Sequence, residues 1–150
     1  MNVQTNNQKG FTIIEVVLVL AIAGLIFLMV FIALPALQRS QRDTQRRDDV
    51  SRFVSQLTSY STNNKGALPD DDTANGSFKQ TYLKPSEGEF NDPSKGEPYT
   101  IVTGTPSEGQ MQYVVGQECD GEGLKPASST RQAAVRVQLE SGGMFCQNAK

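Results

Sequence analysis

The chain has 150 residues, enough for one ordinary domain, and its formal net charge of −2 does not favour a domain that binds nucleic acid. It contains no histidine, so histidine-based metal sites, Ser-His-Asp triads and Cys-His pairs are all excluded. We therefore expect a protein that is not an enzyme and that carries no metal or cofactor.

The most uneven feature of the composition is an apolar run at 16–34, which contains no charged or strongly polar side chain. As a helix this run is about 28 Å long, close to the thickness of the hydrocarbon core of a bilayer. The segment before it begins with MNVQTNNQKG, which is polar. A secretory signal peptide has a shorter apolar core followed by a small-residue cleavage site, so we predict a membrane-spanning segment instead.

Glu15 lies at the head of the apolar run, which otherwise contains nothing ionisable. A carboxylate in the middle of a membrane costs about 3 kcal/mol even on lenient insertion scales, and a partner cation would offset that cost. Cleavage between Gly10 and Phe11 would create such a cation, because the new α-amine is largely protonated at neutral pH. The alternative is that Glu15 lies at the headgroup level of an ordinary membrane anchor.

One long helix is predicted over about 11–62. The apolar run passes into QRSQRDTQRRDD, which contains no glycine, proline or apolar side chain. Irregularities are predicted at Gly24 and at Pro35, since proline lacks a backbone donor and clashes with the preceding turn. Further on, apolar side chains recur every three or four positions, which predicts a face buried against another element. They are Val50, Phe53, Val54, Leu57 and Tyr60.

Charged side chains in the middle of this helix are predicted to pair. Asp43 and Arg47, and likewise Asp48 and Arg52, are four positions apart, which places opposite charges on one helical face. The alternative is that the arginines contact the phosphates of nucleic acid. We do not favour that partner, because no aromatic residues are interleaved for base stacking. The arginines concerned are Arg39, Arg42, Arg46 and Arg47.

The rest of the chain predicts a loop region followed by a sheet. Residues 65–98 are rich in Gly, Pro, Ser and Asp and predict a long, partly ordered loop. Strand-like segments follow at 99–103, 111–115, 133–139 and 144–146, and Gly142 with Gly143 predicts a tight hairpin before the last. We predict an α+β fold in which an antiparallel sheet of about four strands packs on the second half of the helix.

Two smaller groups of residues are candidate sites. Cys119 and Cys146 both follow the apolar helix, and a single disulfide is expected if that part is exported, with two free thiols as the alternative. Three acidic residues at 70–72 suggest calcium. The spacing does not support it, because the twelfth position of such a loop is Tyr82 rather than a bidentate glutamate.

The segment KGFTIIEVVLVLAIAGLI resembles the N-terminus shared by type IV pilins and pseudopilins, and most resembles a type IV pilin. The resemblance implies that a prepilin peptidase cuts between Gly10 and Phe11 and that the amine of Phe11 is methylated. It also implies that Glu15 registers incoming subunits against a neighbour's N-terminus. NNKGALP and NDPSKGEPYTI loosely resemble the family's helix exit and the turn into its first strand. The position of the family's usual mid-helix proline is occupied here by Ile32, and this chain has its proline at Pro35 instead.

This resemblance implies a leader at 1–10, an apolar helix for the membrane and the filament core at 11–37, and a globular head at 38–150. The implied function is that of a structural subunit of a type IV pilus, supporting attachment, twitching motility or DNA uptake. The alternatives are a pseudopilin of a type II secretion-like system and a single-span anchored domain that never polymerises. The implied partners are copies of the same chain, the prepilin peptidase, the pilus assembly machinery and the cytoplasmic membrane before assembly into an extracellular filament.

The distribution of cations disagrees with the implied orientation. Lys9 and the Met1 amine precede the apolar run, whereas four arginines follow it. By the positive-inside rule the C-terminal part would then be cytoplasmic. The resemblance implies the opposite, and the acids interleaved with the arginines favour it.

Overall fold

The computed structural model describes residues 10–149, so the predicted leader, apart from Gly10, lies outside the described residues. The first helix, α1, covers Ile13–Asn63, in agreement with the helix predicted over about 11–62. The chain forms two compact units, Met1–Gln38 and Arg39–Lys150, and α1 contributes to both.

The described part of the first unit consists of the apolar half of α1 and the short segment before it. Among residues 10–149, α1 is the one helix long and apolar enough to cross a membrane, and its apolar stretch is not buried within the chain. The helix is continuous through Gly24 and Pro35. The predicted irregularities at these two positions stay predictions.

The second unit adds short helical elements and six strands to the polar half of α1. The helical elements are α2 (Asp71–Thr73), a π-helical segment (Ala74–Leu83) and a 3₁₀ turn (Pro85–Glu87). The strands are β1 (Thr100–Val102), β2 (Gln110–Val115), β3 (Gln117–Asp120), β4 (Gly123–Pro126), β5 (Ala133–Gln138) and β6 (Met144–Ala149).

The prediction of a loop over 65–98 is wrong for its central part, which is helical. The side chain of Asp70 accepts a hydrogen bond from the Thr73 N–H at 2.8 Å and caps the first of these turns. Phe78 and Leu83 are completely buried, and the Phe78 ring lies edge-on to Phe53 of α1 at 5.5 Å between centroids. Burial of these side chains against α1 outweighs the weak local propensity of a Gly- and Asp-rich sequence.

The main sheet has the strand order β1-β2-β5-β6 and is mixed rather than wholly antiparallel. β2, β5 and β6 pair antiparallel as predicted, whereas β1 pairs with β2 in parallel, with Thr100 opposite Gln110. A parallel pair normally needs a long crossover connection. Here β1 has only 3 residues, so the short connection back to its start suffices, and Gly109 with a φ of 80° ends that connection.

A second, two-stranded sheet consists of β3 and β4, which the strand pattern did not predict. The two strands form a hairpin in which Asp120 lies opposite Gly123. Gly121 occupies the turn with a φ of 61°. Asp-Gly followed by a second strand is a strong hairpin signal, so this element could have been found from the sequence.

The core lies between the polar half of α1 and the main sheet, which confirms the predicted α+β fold. The buried face of α1 is contributed by Val50, Phe53 and Leu57, each with no exposed surface. Alternate residues of the central strands meet this face, as the predicted period of two requires. They are Met111, Tyr113, Val135 and Val137.

Candidate functional site

The N-terminus of α1 is closed by reciprocal hydrogen bonds between Thr12 and Glu15. The Thr12 N–H and hydroxyl both donate to Glu15 Oε2, at 2.9 and 2.8 Å. The Glu15 N–H is in turn 3.4 Å from Thr12 Oγ1. Thr12 immediately precedes the helix and Glu15 is its third residue, so the pair forms a capping box. This capping role of Glu15 was not predicted beside its roles in assembly or at the headgroup level, although the pattern T-x-x-E was its signal.

Gly10 and Phe11, the residues of the predicted cleavage, lie outside the helix. Phe11 is 90% exposed, so the aromatic ring is not held by the rest of the described chain. Cleavage between these residues, methylation of Phe11 and the assembly role of Glu15 stay predictions.

The apolar half of α1 presents large aliphatic and aromatic side chains all around the helix. Their exposed fractions run from 43% at Val30 to 76% at Met29 within 16–34. An apolar surface of this extent on a single chain marks contact with a membrane or with other proteins. Glu15 is the one ionisable residue between Phe11 and Gln38.

Residues 5–31 match the prokaryotic N-terminal methylation motif. The chain carries a prepilin-type N-terminus. This match supports a type IV pilin-like prepilin, a structural class of protein rather than an enzymatic one. Such an N-terminus implies processing by a prepilin peptidase and assembly into pilus-like oligomers, and together with the apolar helix it fits a membrane-anchored precursor.

No curated protein and no solved structure matches the chain. The motif covers the segment that contains Gly10, Phe11 and Glu15, and it ends before Pro35. The match does not extend to the globular part of the chain.

The two cysteines of the globular part form a disulfide, as predicted. Cys119 in β3 and Cys146 in β6 are joined with a Cα–Cα distance of 5.8 Å. Beside the disulfide, the Cys119 N–H donates to the side-chain oxygen of Asn148 at 2.7 Å. The bridge thus attaches the small β3-β4 hairpin to an edge strand of the main sheet.

Arg46 is the centre of a buried ionic cluster, which the local spacing of charges along the helix did not predict. Its guanidinium, 1% exposed, contacts Asp92 Oδ2 at 3.1 Å, Asp43 Oδ1 at 3.4 Å and Glu140 Oε1 at 3.1 Å. Ser94 adds a hydrogen bond at 3.0 Å. The cluster therefore joins α1 to two turns that are remote in sequence.

The predicted pairs of Asp43 with Arg47 and of Asp48 with Arg52 are not the ones that form. Asp43 instead accepts hydrogen bonds from two backbone amides of the β5-β6 turn, at 2.7 and 2.9 Å, and contacts Arg46. Arg52 pairs with Glu89. Local spacing favoured the wrong partners because the turns of the folded head offer nearer acids and donors.

Most of the arginines that could have formed a stripe for nucleic acid have partners within the chain. Arg42 forms two hydrogen bonds of 2.7 Å with the carboxylate of Glu140. The Arg47 guanidinium lies over the Phe145 ring, 5.2 Å from its centroid. These contacts engage the charges that phosphate binding would need.

The acidic loop at 70–72 is engaged in local structure. The Asp70 side chain caps α2, and the amide of Asn75 donates to the Ile101 carbonyl at 3.0 Å. Within residues 10–149, no group of three or more Cys, Asp or Glu side chains is placed to hold a metal ion.

Asp49, in the globular unit and outside the apolar segment, is a buried carboxylate that faces the Tyr99 hydroxyl at 3.0 Å. Burial raises the pKa of Asp49 to about 6, against the opposing effects of the Tyr99 hydrogen bond and of the nearby Arg52 charge. The folded protein therefore binds this proton more tightly than the unfolded chain does. Stability from this group is present below pH 4 and is lost as the pH rises through 6.

We expect Asp49→Asn to stabilise the protein at pH 7 by up to about 3 kcal/mol, the value of a two-unit pKa shift, and to give no such gain at pH 4. Asparagine keeps an oxygen for Tyr99 but carries no charge to desolvate. Asp48→Asn, at the exposed neighbouring position, removes the same charge and is the matched control. Denaturation of the full-length protein at both pH values measures the difference, and equal effects of the two substitutions would contradict the argument.

Proposed function

We propose that this chain is the structural subunit of a type IV pilus filament. It is made as a membrane-anchored precursor, cut between Gly10 and Phe11 by a prepilin peptidase, and methylated at the new amine of Phe11. Apolar helices of many copies then pack together in the filament core, and the globular heads cover the outside. The filament supports surface attachment, twitching motility or DNA uptake.

The observation that carries this proposal is the single acid, Glu15, in an otherwise apolar segment that overlaps the methylation motif. A carboxylate there is costly in hydrocarbon unless a cation neutralises it. Cleavage supplies that cation, on the same subunit or on a neighbour. On assembly the apolar surface exchanges contacts with lipid for contacts with other helices. Leaving the bilayer therefore exposes little apolar surface to water.

Features of the globular unit support a head that works outside the cytoplasm. Disulfides persist in oxidising compartments, and this one joins the β3-β4 hairpin to β6. Three of the four arginines after the apolar segment, which conflict with the positive-inside rule, are engaged with acids and an aromatic ring of the head.

Two other functions are kept as alternatives. A pseudopilin of a type II secretion-like system is favoured by the turn NDPSKGEPY, in which the Gly96 N–H donates to the Asp92 carbonyl at 2.8 Å. Surface filaments that disappear from electron micrographs when the gene is deleted would favour the pilus. A non-polymerising anchored domain differs from both, since neither cleavage nor Glu15 would matter to it.

The proposal is tested by Gly10→Ala and Glu15→Ala in cells that assemble the filament. We expect Gly10→Ala to abolish processing and Glu15→Ala to abolish assembly. Gly24→Ala is the control for the first, because a methyl group there meets nothing within 4 Å, and Glu87→Ala removes an exposed acid of the head as control for the second.

Intact mass and electron microscopy give the result. The mature wild-type protein should begin at Phe11, carry one methyl group and be two hydrogens lighter than the dithiol form. A protein that keeps its first ten residues, with no ordered polymer in any preparation, would refute the proposal.

A further inference from the structure

We propose that Thr12 is a positioning residue for the cleavage between Gly10 and Phe11. The capping box of Thr12 and Glu15 fixes the start of α1 at Ile13 and so keeps the scissile peptide bond outside the helix. This inference rests on the proposed function, since it concerns the precursor of a prepilin-type chain. It gives Glu15 a task before cleavage that is separate from its charge in assembly.

The hydrogen bonds at the helix start show what the capping box decides. The Val16 N–H donates to the Thr12 carbonyl at 3.3 Å, one turn earlier in the chain. If the helix began two residues sooner, the same i to i−4 rule would direct the Ile14 N–H to the Gly10 carbonyl. That carbonyl belongs to the bond that is to be cut. A peptidase would then have to break a helical hydrogen bond before it could polarise the carbonyl.

The residues around the cleavage point do not otherwise stop a helix near Ile13. Phe11 and Ile14 tolerate helical backbone, and an apolar environment favours each additional internal hydrogen bond. A capping threonine opposes this, because its side chain satisfies the helix N–H groups only while its own backbone stays non-helical. The carboxylate of Glu15 accepts the reciprocal hydrogen bond from the Thr12 N–H at 2.9 Å. A further helical turn would need that N–H for a hydrogen bond of its own.

The test is the rate at which a prepilin peptidase cuts the full-length precursor in mild detergent, followed by intact mass. Thr12→Val keeps the shape of the side chain and removes its hydroxyl. Thr12→Ser and Thr12→Asn both cap helices, and asparagine does so without resembling threonine. Thr44→Val is the matched control, because Thr44 is an exposed threonine inside the same helix whose hydroxyl bonds to the Ser40 carbonyl at 2.9 Å.

We expect Thr12→Val to lower kcat/KM by up to about five-fold, the value of a typical lost cap. The loss should fall on KM, since a peptidase that binds only the open form sees a smaller competent fraction of precursor. The serine and asparagine variants and Thr44→Val should be cut at the wild-type rate. Glu15→Gln should also be cut normally, because glutamine still accepts the capping bond, while its neutral side chain impairs assembly.

Two results would overturn the inference. Thr12→Val cut as fast as the wild type would show that the cap does not govern access. Asparagine as slow as valine would show that the peptidase recognises threonine itself rather than the helix start. Failure of the proposed function is distinct from both, because the wild-type precursor would then not be cut at all.

Discussion

Arg46→Ala is expected to lower the free energy of unfolding by about 3–5 kcal/mol, the usual cost of removing one partner from a buried ion pair. The guanidinium lies 3.1 Å from Asp92 Oδ2, and both side chains are 1% exposed. Without the arginine, Asp92 and Asp43 would be left as buried carboxylates without a cation. The replacement also leaves a cavity where a long side chain was packed.

The pKa of Asp92 shows how strongly the cluster favours the charged form. Burial alone opposes ionisation, but hydrogen bonds from Arg46 and Ser94 outweigh it and hold the pKa of Asp92 below its ordinary value. The stabilisation is therefore present above the unfolded pKa and is lost as the pH falls through the lower folded one. Protonation of Asp92 at low pH and loss of Arg46 should therefore weaken the same contacts of the cluster.

Denaturation of the full-length protein in mild detergent, followed by the near-ultraviolet circular dichroism of its tyrosines, measures this effect. Arg39→Ala removes the same kind of charge from an exposed position of α1 and should change stability by less than about 0.5 kcal/mol. Arg46→Lys should recover only part of the loss, because an ammonium cannot reproduce the planar fork. A loss below 1 kcal/mol for Arg46→Ala would show that the cluster contributes little to the head.

Removal of the disulfide by Cys119→Ala and Cys146→Ala together is expected to cost about 3.5 kcal/mol. The cysteines are separated by 27 positions, and closing a loop of that length in the unfolded chain has about this entropic value at 25 °C. The hydrogen bond from the Cys119 N–H to Asn148 remains in the double variant. The main sheet should therefore persist, while the β3-β4 hairpin loses protection against hydrogen exchange.

Reduction of the wild type provides the matched comparison. A reducing agent should bring the wild type to the stability of the double variant and leave the double variant unchanged. If reduction has no effect on the wild-type transition, or if the β3-β4 hairpin keeps its full protection in the double variant, the disulfide does not stabilise the protein as described.

Both predictions concern contacts that connect parts of the head far apart in sequence. Arg46 connects α1 to the turn after Phe90 and to the turn between β5 and β6. The disulfide connects β3 to β6. The globular unit depends on such links, because the polar half of α1 offers only one face to the core.

The periodicity of the sequence was sufficient to predict the helix and the strands β2, β5 and β6. The N-terminal pattern was sufficient to predict the motif segment that carries Gly10, Phe11 and Glu15. These features depend on local spacing. Apolar residues three and four positions apart indicate one face of a helix, and alternating apolar and polar residues indicate a strand. The capping box was equally local, and T-x-x-E could have shown it.

Long-range packing decided the rest. The helical turns at 71–87 form because Phe78 and Leu83 are buried against α1, and β1 runs parallel to β2 because its shortness permits a brief return. The burial of Arg46 was not predicted because two of the three acids that contact it, Asp92 and Glu140, lie far away in sequence. Local sequence patterns determine backbone preference and amphipathicity. The partner of a charged side chain is determined only when turns distant in sequence come together, because electrostatic energy depends on distance in space.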